Sequence, residues 1–565
     1  MKIALAQQNY RIGDFEYNTQ KIIEAIKKAK SANAELVVFS ELCICGYPPR
    51  DFLLFDEFIQ SCLQAIDQIK PYTKDIAVLL GAPANNPQKE GKDLFNSAYF
   101  IYQEKIQAVI HKTLLPTYDV FDEYRHFEPA YEWNTVLFKR KKLAITICED
   151  IWDLVDNPMY RACPMDKLIA EQPDIMINLS ASPFDYTHVA DRKAMVKANV
   201  LKYKLPMVYC NTVGSQTEIV FDGGSLVADK NGNIRCALSL FKEDIQTIEI
   251  LDDGTIAQPI IESVDTLPTK DLNPTSLDAH LCIDEIYSAL KIGIQDYFNK
   301  MGFTKAIIGS SGGIDSAVTL ALACDALGKE NVLAVLMPSP YSTEHSVNDA
   351  VALSKRLGNP YHIIKINNIY ESFLDTLQPI FKNSPFNVAE ENIQSRTRGN
   401  LLMAIANKFG YILLNTSNKS ELATGYGTLY GDMAGGLSVL GDCYKTQVYA
   451  LAEYINREKE IIPSNIITKA PSAELRPNQK DSDSLPDYAT LDQILYQYIE
   501  QCQGPKSIID KGFGPPLVSK VLKMVNDNEY KRNQFCPIIR ISPKAFGVGR
   551  RMPIVGKYLS SSNSI

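Results

Sequence analysis

Along the first half of the chain, short apolar runs alternate with amphipathic stretches. Lys2–Ala6 reads as a strand, and residues 18–32 place Ile22, Ile23 and Ile26 at helical spacing. Leu36–Phe39 is a second apolar run. Ile76–Leu80, Ala98–Tyr102, Leu143–Ile147, Ile175–Leu179 and Met207–Tyr209 continue the series, with helix-like stretches between several of them. Asp229–Asn233 contains Asn-Gly, a pair that accepts positive φ and signals a hairpin. Crossovers mixed with hairpins predict an α/β sandwich with a mixed sheet. Residues 262–276 carry two prolines and read as a linker. Beyond them a helix is expected from near Ala279. Then the apolar runs Ala306–Ile308, Val332–Leu336, His362–Ile366 and Tyr411–Leu414 each precede a helical stretch, as in a doubly wound parallel sheet. Residues 471–490 are polar and loop-like, a further helical stretch follows, and the final SSSNSI reads as a frayed tail.

Length and composition narrow the class. A chain of 565 residues is too long for one core and implies at least two domains. Hydrophobic residues at 45% and charged residues at 22% exclude a largely disordered chain. A net charge of -8 removes a global basic footprint for nucleic acid. No apolar run approaches the roughly 20 residues of a membrane-spanning helix, and MKIALAQQNY turns polar too early for a targeting signal. The 12 cysteines are scattered without paired CxxC motifs, which excludes a zinc ribbon and favours reduced thiols in the cytoplasm.

Candidate chemistry appears first in the second half. In Ala306–Ser316 (AIIGSSGGIDS) an apolar strand ends at Gly309. Ser311, Gly312 and Gly313 make a tight turn, and Ile314 opens a helix. Two glycines let backbone N–H groups converge on an anion at a helix N-terminus, and Ser311 and Ser316 add hydroxyls. No GK[ST] follows, so the loop is not a Walker A motif. It suits a departing pyrophosphate rather than γ-phosphoryl transfer. Asn415–Glu421 (NTSNKSE) lies just past an apolar strand, where open α/β sheets bind ligands. There Glu421, with Asp315, could hold Mg2+ against phosphate oxygens.

In the first half Glu41, Lys112 and Cys148 each follow an apolar strand. Strand ends bring distant positions to one rim. A thiol needs a cation such as Lys112 nearby to favour thiolate, and Glu41 can take and return a proton in acyl transfer. The Lys112 ammonium and the amide after Cys148 could stabilise an oxyanion. Cys43 and Cys45 read as core residues.

Both halves resemble known families. SGGIDS resembles the N-type ATP pyrophosphatases. ENIQSRTRGNLLM, NTSNKSELATGYGTLYGDMAGG, YKTQVY and PSAELRPNQKDSDSLP resemble the glutamine-dependent NAD synthetases over nearly all of residues 277–565. The flanks of Glu41 (VVFSELCICGYPP), Lys112 (IHKTLLPTY) and Cys148 (AITICEDIWD) resemble the nitrilase family's Glu–Lys–Cys site, and residues 1–265 its glutaminase branch. The resemblance implies a four-layer αββα sandwich over residues 1–265, a linker at 266–276 and an ATP-dependent synthetase domain over 277–565. It implies an enzyme that amidates deamido-NAD through an adenylate, with ammonia from glutamine, ATP as co-substrate and Mg2+ as cofactor. Glu41, Lys112 and Cys148 are then catalytic, and Tyr118, Ser182 and His188 bind glutamine. His188 stands where that family usually has lysine. Gly309, Ser310, Ser311, Gly312, Gly313, Ile314, Asp315, Ser316, Thr416 and Lys445 fall on ATP-binding positions. Asn392, Arg396, Glu421 and Lys544 fall on deamido-NAD positions, and Asp315 and Glu421 on those of the metal. The implied partners are small molecules and other copies of the chain, with neither nucleic acid nor membrane.

Overall fold

The computed structural model describes residues 1–559 apart from 89, 153, 155–158, 264–274, 383 and 478. Most of the expected linker and the SSSNSI tail therefore lie outside the described residues. The chain divides into two compact units, Met1–Asn273 and Pro274–Ile565.

The strands of the N-terminal unit are, in order, β1 (Lys2–Gln7), β2 (Leu36–Val38), β3 (Ala77–Asn85), β4 (Leu94–Tyr102), β5 (Lys105–His111), β6 (Val136–Phe138), β7 (Lys141–Ile147), β8 (Ile175–Ser180), β9 (Met207–Asn211), β10 (Val213–Gln216), β11 (Ile219–Asp222), β12 (Leu226–Ala228), β13 (Ile234–Ala237) and β14 (Asp244–Glu249). One six-stranded sheet has the order β14-β1-β2-β3-β4-β5, a second the order β13-β12-β9-β8-β7-β6, and β10 pairs with β11. Each large sheet is mixed, parallel through β1, β2 and β3 or through β7, β8 and β9, and antiparallel at its flanks.

Alternation along the strands sets the layers. Ile3, Leu5, Leu36 and Val38 face Ile145, Ile147, Ile177 and Leu179 of the other sheet. Ala4, Ala6 and Val37 point the other way, onto Ile22 and Ile26 of α1 (Phe15–Ser31) and Ile59 and Ile66 of α2 (Asp56–Ile69). Behind the second sheet, Met176 and Tyr209 pack on α3 (Pro164–Leu168) and on Val196 and Val200 of α4 (His188–Tyr203). The result is the αββα sandwich. α1 begins at Phe15, ahead of the expected residue 18, because the Asp14 side chain accepts the Tyr17 N–H at 3.2 Å. The β4–β5 hairpin turns at Gln103 and Glu104, both with positive φ (50° and 63°). The Asn-Gly hairpin joins β12 to β13 as the sequence indicates.

In the C-terminal unit β15 (Ala306–Gly309), β16 (Val332–Leu336), β17 (Tyr361–Ile363), β18 (Ile412–Asn415) and β19 (Leu437–Ser438) form a parallel sheet of order β17-β16-β15-β18-β19. Its helices include α5 (Ile283–Met301), α6 (Ile314–Leu327), α7 (Glu344–Leu357), α8 (Asn367–Phe381), α9 (Val388–Phe409), α10 (Lys419–Thr424) and α11 (Lys445–Ile455), and further helices follow between Ser464 and Arg532. Ile307, Val335 and Leu413 meet Leu402 and Ala406 of α9 on one face, while α6 crosses the other with α5 and α11 against it. α5 starts at Ile283 rather than near Ala279. The strand expected at His362–Ile366 stops at Ile363, because its partner β16 ends at Leu336. Strand order reverses between β15 and β18, which makes their carboxyl ends the crevice where such sheets bind ligands.

Candidate active sites

In the N-terminal unit three strand ends supply the rim. Glu41 follows β2 in a turn packed so tightly on β3 that a Cβ at Gly81 would stand 2.3 Å from the Leu42 nitrogen. Lys112 is the residue after β5, and its own N–H extends the pairing to Asn96 O at 2.8 Å. Cys148 is the residue after β7. It takes a left-handed φ of 44° and opens the short helical turn Cys148–Ile151. Left-handed backbone is disfavoured for a side-chain-bearing residue, so the surrounding packing must hold it there.

All three side chains are buried. Lys112 Nζ donates to Glu41 Oε1 at 2.7 Å and to Glu123 Oε1 at 2.8 Å. Asn96 Nδ2 donates to Glu41 Oε1 at 2.7 Å and to Glu123 Oε2 at 3.2 Å, and Tyr47 OH donates to Glu123 Oε1 at 2.7 Å. Glu41 Oε2 accepts the Ala181 N–H from the other sheet at 3.0 Å. Burial alone would discharge Lys112, but Glu123 and Glu41 outweigh it and hold the ammonium well above its ordinary range. Burial, with Glu41 adding, pushes Glu123 up to about 7. The expectation that Lys112 would leave a thiolate is not met. Burial and the Glu41 carboxylate push the Cys148 thiol well above its ordinary value, and Lys112 does not offset them. At rest Cys148 is a neutral thiol beside a proton acceptor.

Of the expected glutamine contacts, Tyr118 OH donates to Glu149 Oε1 at 2.9 Å and Ser182 Oγ lies 2.6 Å from His188 Nε2. The His188 ring stacks on Trp152 at 4.8 Å. Burial raises the Glu149 carboxyl.

In the C-terminal unit the Gly309–Ser316 loop runs from β15 into α6 at the switch point. Gly312 has φ 79°, and a Cβ there would stand 2.2 Å from Ser346 O in α7, so only glycine fits. Ser311 Oγ accepts the Gly313 N–H at 3.1 Å and lies 3.1 Å from Ser316 Oγ. Ser310 Oγ is buried with no protein hydrogen-bond partner. Beside the loop lies a cavity of about 300 Å³, lined also by Thr416, Asp315, Glu421, Lys445 and Arg398. Lys445 Nζ donates to Asp315 Oδ2 at 2.5 Å and lies 3.6 Å from Glu421 Oε1, while Asn418 Nδ2 donates to Asp315 Oδ1 at 2.9 Å. Burial and the Asp315 charge raise Glu421 to about 8.

A carbon-nitrogen hydrolase family model matches residues 2–257, and an NAD synthase family model matches residues 286–535. A glutamine-dependent NAD(+) synthetase of a Synechocystis species is 43% identical over 98% of this chain and 98% of its own length. The chain belongs to the glutamine-dependent NAD(+) synthetases. A synthetase of that name from Thermotoga maritima is 40% identical, with 99% of each chain covered. The solved structure of the Acinetobacter baumannii synthetase in complex with ADP covers 100% of this chain and 99% of its own, at 39% identity and a TM-score of 0.76. A synthetase structure from Cytophaga hutchinsonii, 20% identical, shares the fold at a TM-score of 0.79 over 99% and 98% of the two chains.

Within this synthetase not every expected residue reaches the C-terminal cavity. Asn392 accepts from Thr428 Oγ1 at 2.7 Å, Arg396 is exposed and donates to Leu429 O at 3.2 Å, and none of Asn392, Arg396 and Lys544 lines it. Arg398 lines it instead, donating to Met337 O at 3.0 Å, and burial lowers its guanidinium to about 10. In the N-terminal unit sequence reasoning missed Glu123. It follows no strand, and nothing in DVFDEYRHFEP marks one acidic residue as buried.

The Asp315–Glu421 pair fits Mg2+. Two carboxylates beside the Gly309–Ser316 loop, the charge of Asp315 raising the proton affinity of Glu421, offer the oxygen donors the ion takes alongside substrate phosphates. Among the described residues, no group of three or more His, Cys, Asp or Glu side chains could hold a metal, and no helix is long and apolar enough to cross a membrane.

Proposed function

We infer that the chain makes NAD from deamido-NAD, ATP and glutamine, with residues 1–265 as the glutaminase, 266–276 as the connection and 277–565 as the synthetase. Supporting this is the pairing, in one chain, of a buried Glu41–Lys112 ion pair acting on the Cys148 thiol with a serine–glycine loop at the switch point of a parallel sheet.

In the N-terminal unit Cys148 passes its proton to Glu41 as its sulfur attacks the side-chain amide of glutamine. The Lys112 ammonium faces the oxyanion that forms. Glu41 returns the proton to the departing nitrogen, and ammonia leaves a γ-glutamyl thioester. Glu41 then deprotonates the water that releases glutamate and restores the thiol. Tyr118, Ser182 and His188 bind the glutamine.

In the C-terminal unit the nicotinate carboxylate of deamido-NAD attacks the ATP α-phosphorus. Pyrophosphate departs into the Gly309–Ser316 loop, and ammonia displaces AMP from the adenylate. A free carboxylate is a poor acyl electrophile, so the adenylate supplies the leaving group. Thr416 and Lys445 bind ATP, and Asn392, Arg396, Glu421 and Lys544 serve deamido-NAD. Mg2+ on Asp315 and Glu421 would neutralise phosphate charge as the pyrophosphate leaves. The protein works in the cytoplasm as a homo-oligomer with reduced cysteines.

Two variants test the reading. Cys148→Ala loses glutamine-dependent NAD formation and keeps it with added ammonium, whereas Asp315→Ala loses both. Glutamine-dependent turnover by Cys148→Ala would remove the nucleophile assignment.

A further inference from the structure

The proposed nucleophile and its lysine stand on different sheets. Cys148 extends β7 of one sheet and Lys112 extends β5 of the other. The separation of the two sheets at this rim therefore sets the distance between sulfur and ammonium. Two carboxylates cross there. Glu41 reaches Ala181 N–H, but on the reading above it gains a proton in each cycle and its acceptor strength then falls.

The other is Asp150, two residues after Cys148 and 2% exposed. Its Oδ1 accepts the N–H groups of Thr113 and Leu114, at 3.0 and 2.9 Å, the two residues directly after Lys112. Its Oδ2 accepts the N–H of Ile147, the residue directly before Cys148, at 2.9 Å. We propose that Asp150 is a positioning residue for the glutaminase: one carboxylate clamps the backbone behind Lys112 to the backbone behind Cys148 and so fixes the gap between nucleophile and ammonium.

The chemistry requires an anionic carboxylate there. Three N–H donors converge on two oxygens, and an amide of the same shape offers one oxygen and sets a donor against a donor. Burial pushes the carboxyl up to about 6 against the pull of the Ile147 and Leu114 N–H groups, so the clamp is charged at neutral pH. The bond to Ile147 is the reach-back contact of a helix start, made across the turn that Cys148 opens.

This rests on the glutaminase reading, and one experiment separates the two. The full-length protein is treated with a diazoketone analogue of glutamine, and the rate and extent of labelling at Cys148 are followed by peptide mass spectrometry alongside glutamine kcat and KM. Unaltered protein that is not labelled at Cys148 would sink the reading itself. If it is labelled, Asp150→Asn is expected to reach full labelling stoichiometry at a rate on the order of 10–100-fold lower, with kcat per labelled site down equally, because a displacement near 1 Å costs about that much. Glutamine KM and ammonium-driven NAD formation are expected to stay near native. Asp150→Glu keeps the charge but shifts it by one methylene, and is expected to show a smaller loss of the same kind. A native labelling rate in Asp150→Asn, activity that falls only in step with the labelled fraction, or native kcat in Asp150→Glu would each overturn the clamp.

Discussion

Adding one methyl group at Gly312 tests the phosphate loop most sharply. In Gly312→Ala the new Cβ starts 2.2 Å from Ser346 O, where contacts under 3.0 Å are not tolerated, so loop or helix must retreat by about 0.8 Å (3.0 − 2.2). The left-handed φ of 79° adds strain of about 1–2 kcal/mol for an L-residue. Gly410, at the end of α9, separates the two effects, because it has φ 71° and nothing within 4 Å of its Cβ position. Gly410→Ala carries the strain without the crowding. The assay is ammonium-driven NAD formation with ATP varied, which bypasses Cys148. A shift approaching 1 Å in the loop proposed to hold the leaving group should lower kcat/KM for ATP by about 10²-fold in Gly312→Ala. Gly410→Ala should show near-native kinetics with a lower melting temperature. Native kcat/KM for ATP in Gly312→Ala would refute the assignment of this loop to the phosphates.

Two further outcomes concern the buried charges of the N-terminal unit. Lys112→Met leaves Glu41 and Glu123 facing one another without a cation, and should cost about 3–5 kcal/mol at neutral pH. Thermal melts at pH 8 and pH 5.5 should show the deficit shrinking at the lower pH, as one carboxyl takes up a proton. A deficit independent of pH would contradict the pairing. Glu123, raised from its ordinary 4.5 to about 7, binds more protons folded than unfolded. Its contribution is complete below about pH 4.5 and is lost as pH rises through 7. Glu123→Gln should therefore flatten the fall in denaturant-derived stability between pH 5 and 7, and an unchanged slope would place that titration elsewhere.

Strands that form short apolar runs were legible in the sequence, and so was the Asn-Gly hairpin between β12 and β13. The β4–β5 hairpin was not, because Gln103 and Glu104 adopt the left-handed conformation without the residues that usually announce it, held there by the long β4–β5 pairing. The juxtaposition of Glu41 and Lys112 could be anticipated because each lies just beyond an apolar strand. Asp150 and Glu123 could not, since their partners are backbone N–H groups or charges that only the packed sheets bring near. The thiol was misjudged for a related reason: sequence offers Lys112 and Glu41 but neither the burial of the sulfur nor the second carboxylate, Glu123, that also engages the lysine. Arg398 was passed over for Arg396 because two arginines two residues apart differ only in which side of α9 faces the cavity.

The neutral Cys148 thiol has a consequence for survival in an oxidising cell. Peroxides and electrophiles attack thiolates, and a cysteine permanently ionised for catalysis is exposed to sulfenic and sulfinic damage between turnovers. Here burial and Glu41 keep the proton on sulfur, much as burial pushes the Cys43 and Cys210 thiols up to about 12. On the proposed mechanism, deprotonation is deferred until an amide sits beside the sulfur and the proton passes to Glu41. The proposed nucleophile thus waits in its unreactive form, and the substrate itself supplies the occasion for its reactivity.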